Sequence, residues 1–165
     1  MILASFLANT LLQRSLRTVH VWDMATKTWF AQATTAERGL YPAENDIDCC
    51  VVASAEDNSS HNIYLVGGLI DTKIFILTLP AFHWVSVYVS AGIRGSGSEC
   101  LKVYEKHIVV YRGDANWDNC DYYHTRRFQG MEIYDMSSLT WTTEVRLKNQ
   151  KYLVPEVLHA IIGGK

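Results

Sequence analysis

A tryptophan recurs at nearly even spacing along this chain: Trp29, Trp84 and Trp141 lie 55 and 57 residues apart. Each closes a similar phrase. Residues 18–29 read T-V-H-V-W-D-M-A-T-K-T-W, and residues 130–141 read G-M-E-I-Y-D-M-S-S-L-T-W. In both, an apolar strand runs to an aromatic-Asp pair, a polar turn follows, and the Trp stands six residues after the Asp. The middle phrase, 60–84, is S-H-N-I-Y-L-V-G-G-L-I-D-T-K-I-F-I-L-T-L-P-A-F-H-W, two short apolar runs joined across Gly67-Gly68 with Trp84 behind the second. Glycine ends recur as well: Gly67-Gly68, Arg112-Gly113 and Gly163-Gly164 are about 45 to 50 residues apart. Val19 and Val21 alternate with His20 and Trp22, a period of two that belongs to strands and not to helices.

A strand-only repeat near 50 residues points to propeller blades rather than a helical solenoid. The details sharpen this. The chain resembles the kelch-repeat β-propellers, whose blades carry a double glycine after the second strand, an aromatic-Asp pair ending the third and a Trp opening the fourth. The matching residues are Gly67-Gly68 and Gly163-Gly164, Trp22-Asp23 and Tyr134-Asp135, and Trp29, Trp84 and Trp141. The wording V-H-V-W-D-M, N-I-Y-L-V-G-G and V-P-E-V…I-I-G-G is similar to fungal members of that family, some of which are surface-anchored. The resemblance covers residues 18 to 164. It departs where Leu79-Pro80 replaces the aromatic-Asp pair and where Arg112 stands before Gly113.

The resemblance implies an all-β fold of two complete four-stranded blades and two partial ones. Residues 18–34 form a partial blade, 48–89 and 99–146 the complete blades, and 154–165 the start of the next, after an N-terminal remnant at 1–17. It also implies a protein-interaction scaffold without catalysis of its own, cytoplasmic or at the cell surface. Galactose oxidases share the fold, so a fragment of such a copper enzyme is the rival from another class. No segment here matches their ligand motif, so no residue is transferred and no cofactor is expected.

Size and charge narrow the choice. Four blades of about 50 residues need roughly 200 residues to close a ring. The 165 residues here therefore read as a fragment or a truncated product. Open blade edges and uncovered faces would favour self-association. A net charge of −2 and a pI near 6.3 supply no basic footprint for nucleic acid. Residues 1–10 are apolar but lack a basic start and are too short to span a bilayer, so they read as the remnant of a strand. Cys49, Cys50, Cys100 and Cys120 have no zinc spacing and read as buried free thiols, with a Cys100–Cys120 bridge open to an extracellular parent.

One stretch stands outside the strand pattern. Residues 114–129, D-A-N-W-D-N-C-D-Y-Y-H-T-R-R-F-Q, form a long loop between the second and third strands of a blade. Loops of that length in a compact domain are usually functional or disordered. Trp117, Asp118, Tyr122, Tyr123, His124, Arg126 and Arg127 mix aromatic and guanidinium groups, the residue types that anchor protein interfaces. They are the candidate partner-binding residues. Asp114, Asp118, Asp121 and His124 offer oxygen and imidazole donors, yet no D-x-D-x-D-G or H-E-x-x-H pattern is present, so they read as solvated acids and no metal is expected. His20, His61, His83, His107 and His159 read as ordinary strand or turn residues, and the three repeating tryptophans as packing between blades.

Overall fold

The computed structural model describes residues 2–5, 17–42, 49–57, 59–66, 73–88, 98–112, 131–142 and 151–162. They form an all-β architecture with one short helix. The first sheet contains β1 (Ile2–Ser5), β2 (Thr18–Asp23) and β3 (Thr28–Ala33) in that order, all antiparallel. The second contains β5 (Cys49–Ser54), β6 (His61–Val66), β7 (Lys73–Leu79) and β8 (His83–Tyr88), each beside its chain neighbour. A two-residue strand, β4 (Thr35–Ala36), adds to its outer edge in parallel with β8. The third sheet is β9 (Ser98–Val103), β10 (His107–Arg112), β11 (Met131–Asp135) and β12 (Thr140–Thr142). Neighbour-to-neighbour meanders of this kind need only short connections.

The turns explain why the Asp residues recur. Asp23 Oδ1 accepts hydrogen bonds from the amides of Ala25 and Thr26, at 2.8 and 3.5 Å. Asp135 Oδ1 accepts from Ser137 and Ser138, at 2.9 and 3.2 Å. A carboxylate holding amides two and three residues ahead is an Asx turn. Both loops end on a left-handed residue, Lys27 (φ 55) and Leu139 (φ 57). Each then re-enters its sheet beside a Trp, with Trp22 facing Trp29 and Tyr134 facing Trp141. The ring pairs touch at centroid distances of 5.3 and 5.0 Å.

Two apolar clusters lie on opposite faces of the second sheet. On one, Val19 and Val21 of β2 pack with Ile63, Leu65, Phe75, Leu77, Leu79 and Trp84. On the other, Tyr64, Ile74, Ile76 and Val85 pack with Ile108, Val110, Tyr134 and Met136 of the third sheet. A sheet covered on both faces requires apolar residues at successive positions, and β6 is buried from Asn62 through Val66. The sheets thus stack face to face, the second between the first and the third.

Four expectations need correction. Trp29 is not packed between sheets but 51% exposed, whereas Trp84 is fully buried and Trp141 half-buried. Trp84 turns toward the first sheet and Trp141 toward the second; the face bearing Trp29 meets no further sheet among the described residues. The register also moves the replacement in the middle repeat: Leu77 faces Trp84 and Thr78 faces His83, so Leu77-Thr78, not Leu79-Pro80, stands where the others have aromatic-Asp. Thr78 keeps the turn by donating its hydroxyl to the His83 carbonyl at 3.1 Å. Residues 154–165, expected to open a blade, contain helix α1 (Glu156–Ile162) instead. Pro155 before it and Glu156 in its first turn are helix-start chemistry. Finally, Cys50 is a free thiol but exposed, because it faces away from the side of β5 that Val51 and Ala53 bury.

Candidate functional site

The loop singled out from sequence leaves the end of β10 at Arg112 and returns at Met131, opening β11. Trp117, Asp118, Tyr122, Tyr123, His124, Arg126 and Arg127 themselves lie outside the described residues, as do Gly67, Gly68, Gly113, Gly163 and Gly164. The frame that carries the loop is firm. β10 pairs with β9 from His107 to Arg112 and with β11 from His107 to Tyr111, and its Ile108 and Val110 are buried against the second sheet. Long connections on such a frame are where proteins place recognition surfaces.

At the opposite end of the same hairpin, polar groups converge that the sequence reading left scattered. Lys106 Nζ bonds Asp135 Oδ2 at 2.9 Å, both side chains about 15% exposed. His107 Nε2 lies 3.6 Å from the same oxygen, and its Nδ1 is buried without a partner. Burial works to raise the Asp135 carboxyl, but the Lys106 ammonium and the amides of Ser138 and Ser137 outweigh it and hold the group below the usual carboxylate range. Burial depresses His107, with Asp135 opposing, so the imidazole is held toward its neutral form. These residues line a groove of about 310 Å³ with Ser138, Thr140, Trp141 and Thr142. The Ser138 hydroxyl is bonded to Thr140 Oγ1 at 2.7 Å. These contacts form a turn-stabilising network.

A second polar cluster is fully enclosed. Asn62 Nδ2 donates to the Tyr152 hydroxyl at 2.9 Å; Tyr64 and Tyr152 share a hydroxyl contact at 2.9 Å; and the Tyr64 hydroxyl reaches the Met136 carbonyl at 3.0 Å. Asn62 and Tyr64 show no exposure and Tyr152 only 3%. Burial first, then the neighbouring Tyr152, pushes the Tyr64 phenol well above its ordinary range. Nothing in the sequence marked this cluster, because Asn62 and Tyr64 sit inside an apolar strand and Tyr152 is 88 residues from Tyr64.

Among the described residues no group of three or more His, Cys, Asp or Glu is arranged to hold a metal ion, and no helix is long and apolar enough to cross a membrane. Antiparallel meanders stacked face to face, with a Trp repeated at fixed register, define an all-β repeat array. The chain is similar to a Kelch repeat-containing protein of Arthroderma benhamiae, 29% identical over an alignment of 180 residues that takes in 88% of this chain. The chain spans about a quarter of that relative's length, 25%. No protein-family model matches the chain.

Proposed function

We propose that the chain is part of a non-catalytic interaction scaffold, in which the stacked sheets hold residues 114–129 toward a protein partner. One observation carries this reading: three- and four-residue turns join β2–β3, β7–β8, β9–β10 and β11–β12, whereas β10 and β11 are joined by a long connection rich in aromatic residues and arginine. A paired frame at both flanks lowers the ordering cost of binding there. The kelch-repeat relative supports the scaffold part of the reading through its repeat class.

The test is a comparison of two baits, the unmutated chain and the W117A/R126A/R127A variant, in extracts of the source organism. Proteins enriched by the first and lost with the second, at equal melting temperature, support the loop as the contact surface. Equal enrichment by both baits contradicts it.

A further inference from the structure

Among the described residues the first sheet lacks a strand that the other two carry. Register places β1, β6 and β10 alike, since each pairs with the strand that faces the repeating Trp: β2, β7 and β11. On its other edge β6 pairs antiparallel with β5, and β10 with β9. The same edge of β1 carries no strand among the described residues. Such an edge offers a row of backbone N–H and C=O groups to any extended chain.

β5 shows the same gap from the side. Its Val51 and Ala53, 6% and 0% exposed, lie in the core shared with the third sheet, whose β9 runs against β5. On its other face Val52 is 46% exposed and the Cys50 thiol is open. Their pairing partners Ile63 and Leu65, one strand outward, are buried with Val19 and Val21 of β2. The first sheet therefore covers β6 and stops short of β5.

We propose that the free edge of β1 and the Cys50–Val52 face of β5 together form a strand-acceptor site for an extended segment of a partner protein. The segment lies antiparallel to β1, as β5 lies on β6. Its main chain bonds the edge, and alternate side chains press on Val52 and Cys50. The chain shows twice what such a strand looks like. Ala53 and Val51 stand opposite Asn62 and Tyr64, and Val103 and Leu101 hold the same places opposite His107 and Val109. The partner thus needs aliphatic residues two apart on the side that meets β5. The position between them is undemanding, being Val52 in β5 and the exposed Lys102 in β9. This surface is separate from residues 114–129, and either can fail without the other.

The probe is a fluorescent peptide of residues 48–55 with serine for both cysteines, read by anisotropy against the full chain. It should bind. Val51→Lys in the probe should weaken binding about tenfold or more, because it sets a charge on an apolar floor. Val52→Lys in the probe should leave binding unchanged, as Lys102 at that place in β9 indicates. In the chain itself Val52→Lys alters an exposed position, so the fold is kept, and it should weaken the original probe. Iodoacetamide labelling of Cys50, read by mass spectrometry, should slow at saturating probe. No probe binding, equal losses from the two lysine probes, or unchanged Cys50 labelling at saturation would overturn the proposal. Labelling that slows with chain concentration alone would assign the site to a second copy and overturn it equally.

Discussion

Trp84 donates its indole N–H to Thr34 Oγ1 at 3.2 Å, a bond that runs from the outer strand of the second sheet to the segment leaving the first. The two sheets are thus joined by more than apolar packing. Thr35 continues the seam, its amide bonding the Phe82 carbonyl at 3.0 Å and its hydroxyl meeting His83 Nδ1 at 2.7 Å. β4 thereby covers the edge of β8, an edge that would otherwise offer unpaired backbone groups.

The tryptophans should therefore differ sharply on truncation. Trp84→Ala removes a fully buried side chain and should cost about 3–5 kcal/mol. Trp29→Ala, at a position 51% exposed, should cost far less. Urea denaturation of both variants checks the contrast, and equal losses would contradict the asymmetric packing.

Tyr152→Phe deletes one oxygen that serves both Asn62 and Tyr64. Leaving the buried Asn62 amide without its acceptor should cost about 1–3 kcal/mol. A thermal melt with the change below 0.3 kcal/mol would show that the segment is not seated as described, since neutral outcomes belong to surface sites, within about 0.5 kcal/mol.

Stability should fall in acid in two stages. His107 has a folded pKa below its ordinary value of 6.5, so the unfolded chain binds its proton first. Its contribution is complete above the unfolded value and is lost as pH falls below 6.5 through the folded value. Asp135 is likewise depressed, from 3.8, and its contribution disappears at still lower pH. His107 faces both Asp135 and Lys106, so the first stage tracks that cluster. The His107→Gln chain should lack the first stage in chemical denaturation between pH 7 and 5 and retain the second.

Lys27 is an exposed non-glycine residue in the left-handed region, a conformation costing about 1–2 kcal/mol for a side-chain-bearing residue. Lys27→Gly should raise the melting temperature. Leu139→Gly, at the same place in the equivalent turn, should lower it, because Leu139 also packs against the core. A loss at both positions would refute the turn geometry.

Most strands were legible because period two and turn residues agree locally: the second apolar run of the middle phrase is β7, and the polar turn after Trp22-Asp23 lies where Asp23 caps it. What failed depended on neighbours. The exposure of Trp29 follows from which sheets stack, which no local pattern encodes. The helix at Glu156 was hidden by Val157, Ile161 and Ile162, which suit strands equally well, although Pro155, Leu158 and Ile161 keep a spacing of three. The Asn62–Tyr64–Tyr152 cluster joins residues too distant in sequence for any motif to connect.

The face bearing Trp22 and Trp29 is the most direct test of the stacked-sheet account. It repeats the side that Trp84 and Trp141 bury, yet remains open among the described residues. Light scattering during size-exclusion chromatography should show mass above 18.7 kDa that rises with concentration for the unmutated chain, and less for Trp29→Lys. A monodisperse 18.7 kDa species with a sharp, cooperative melt would contradict it.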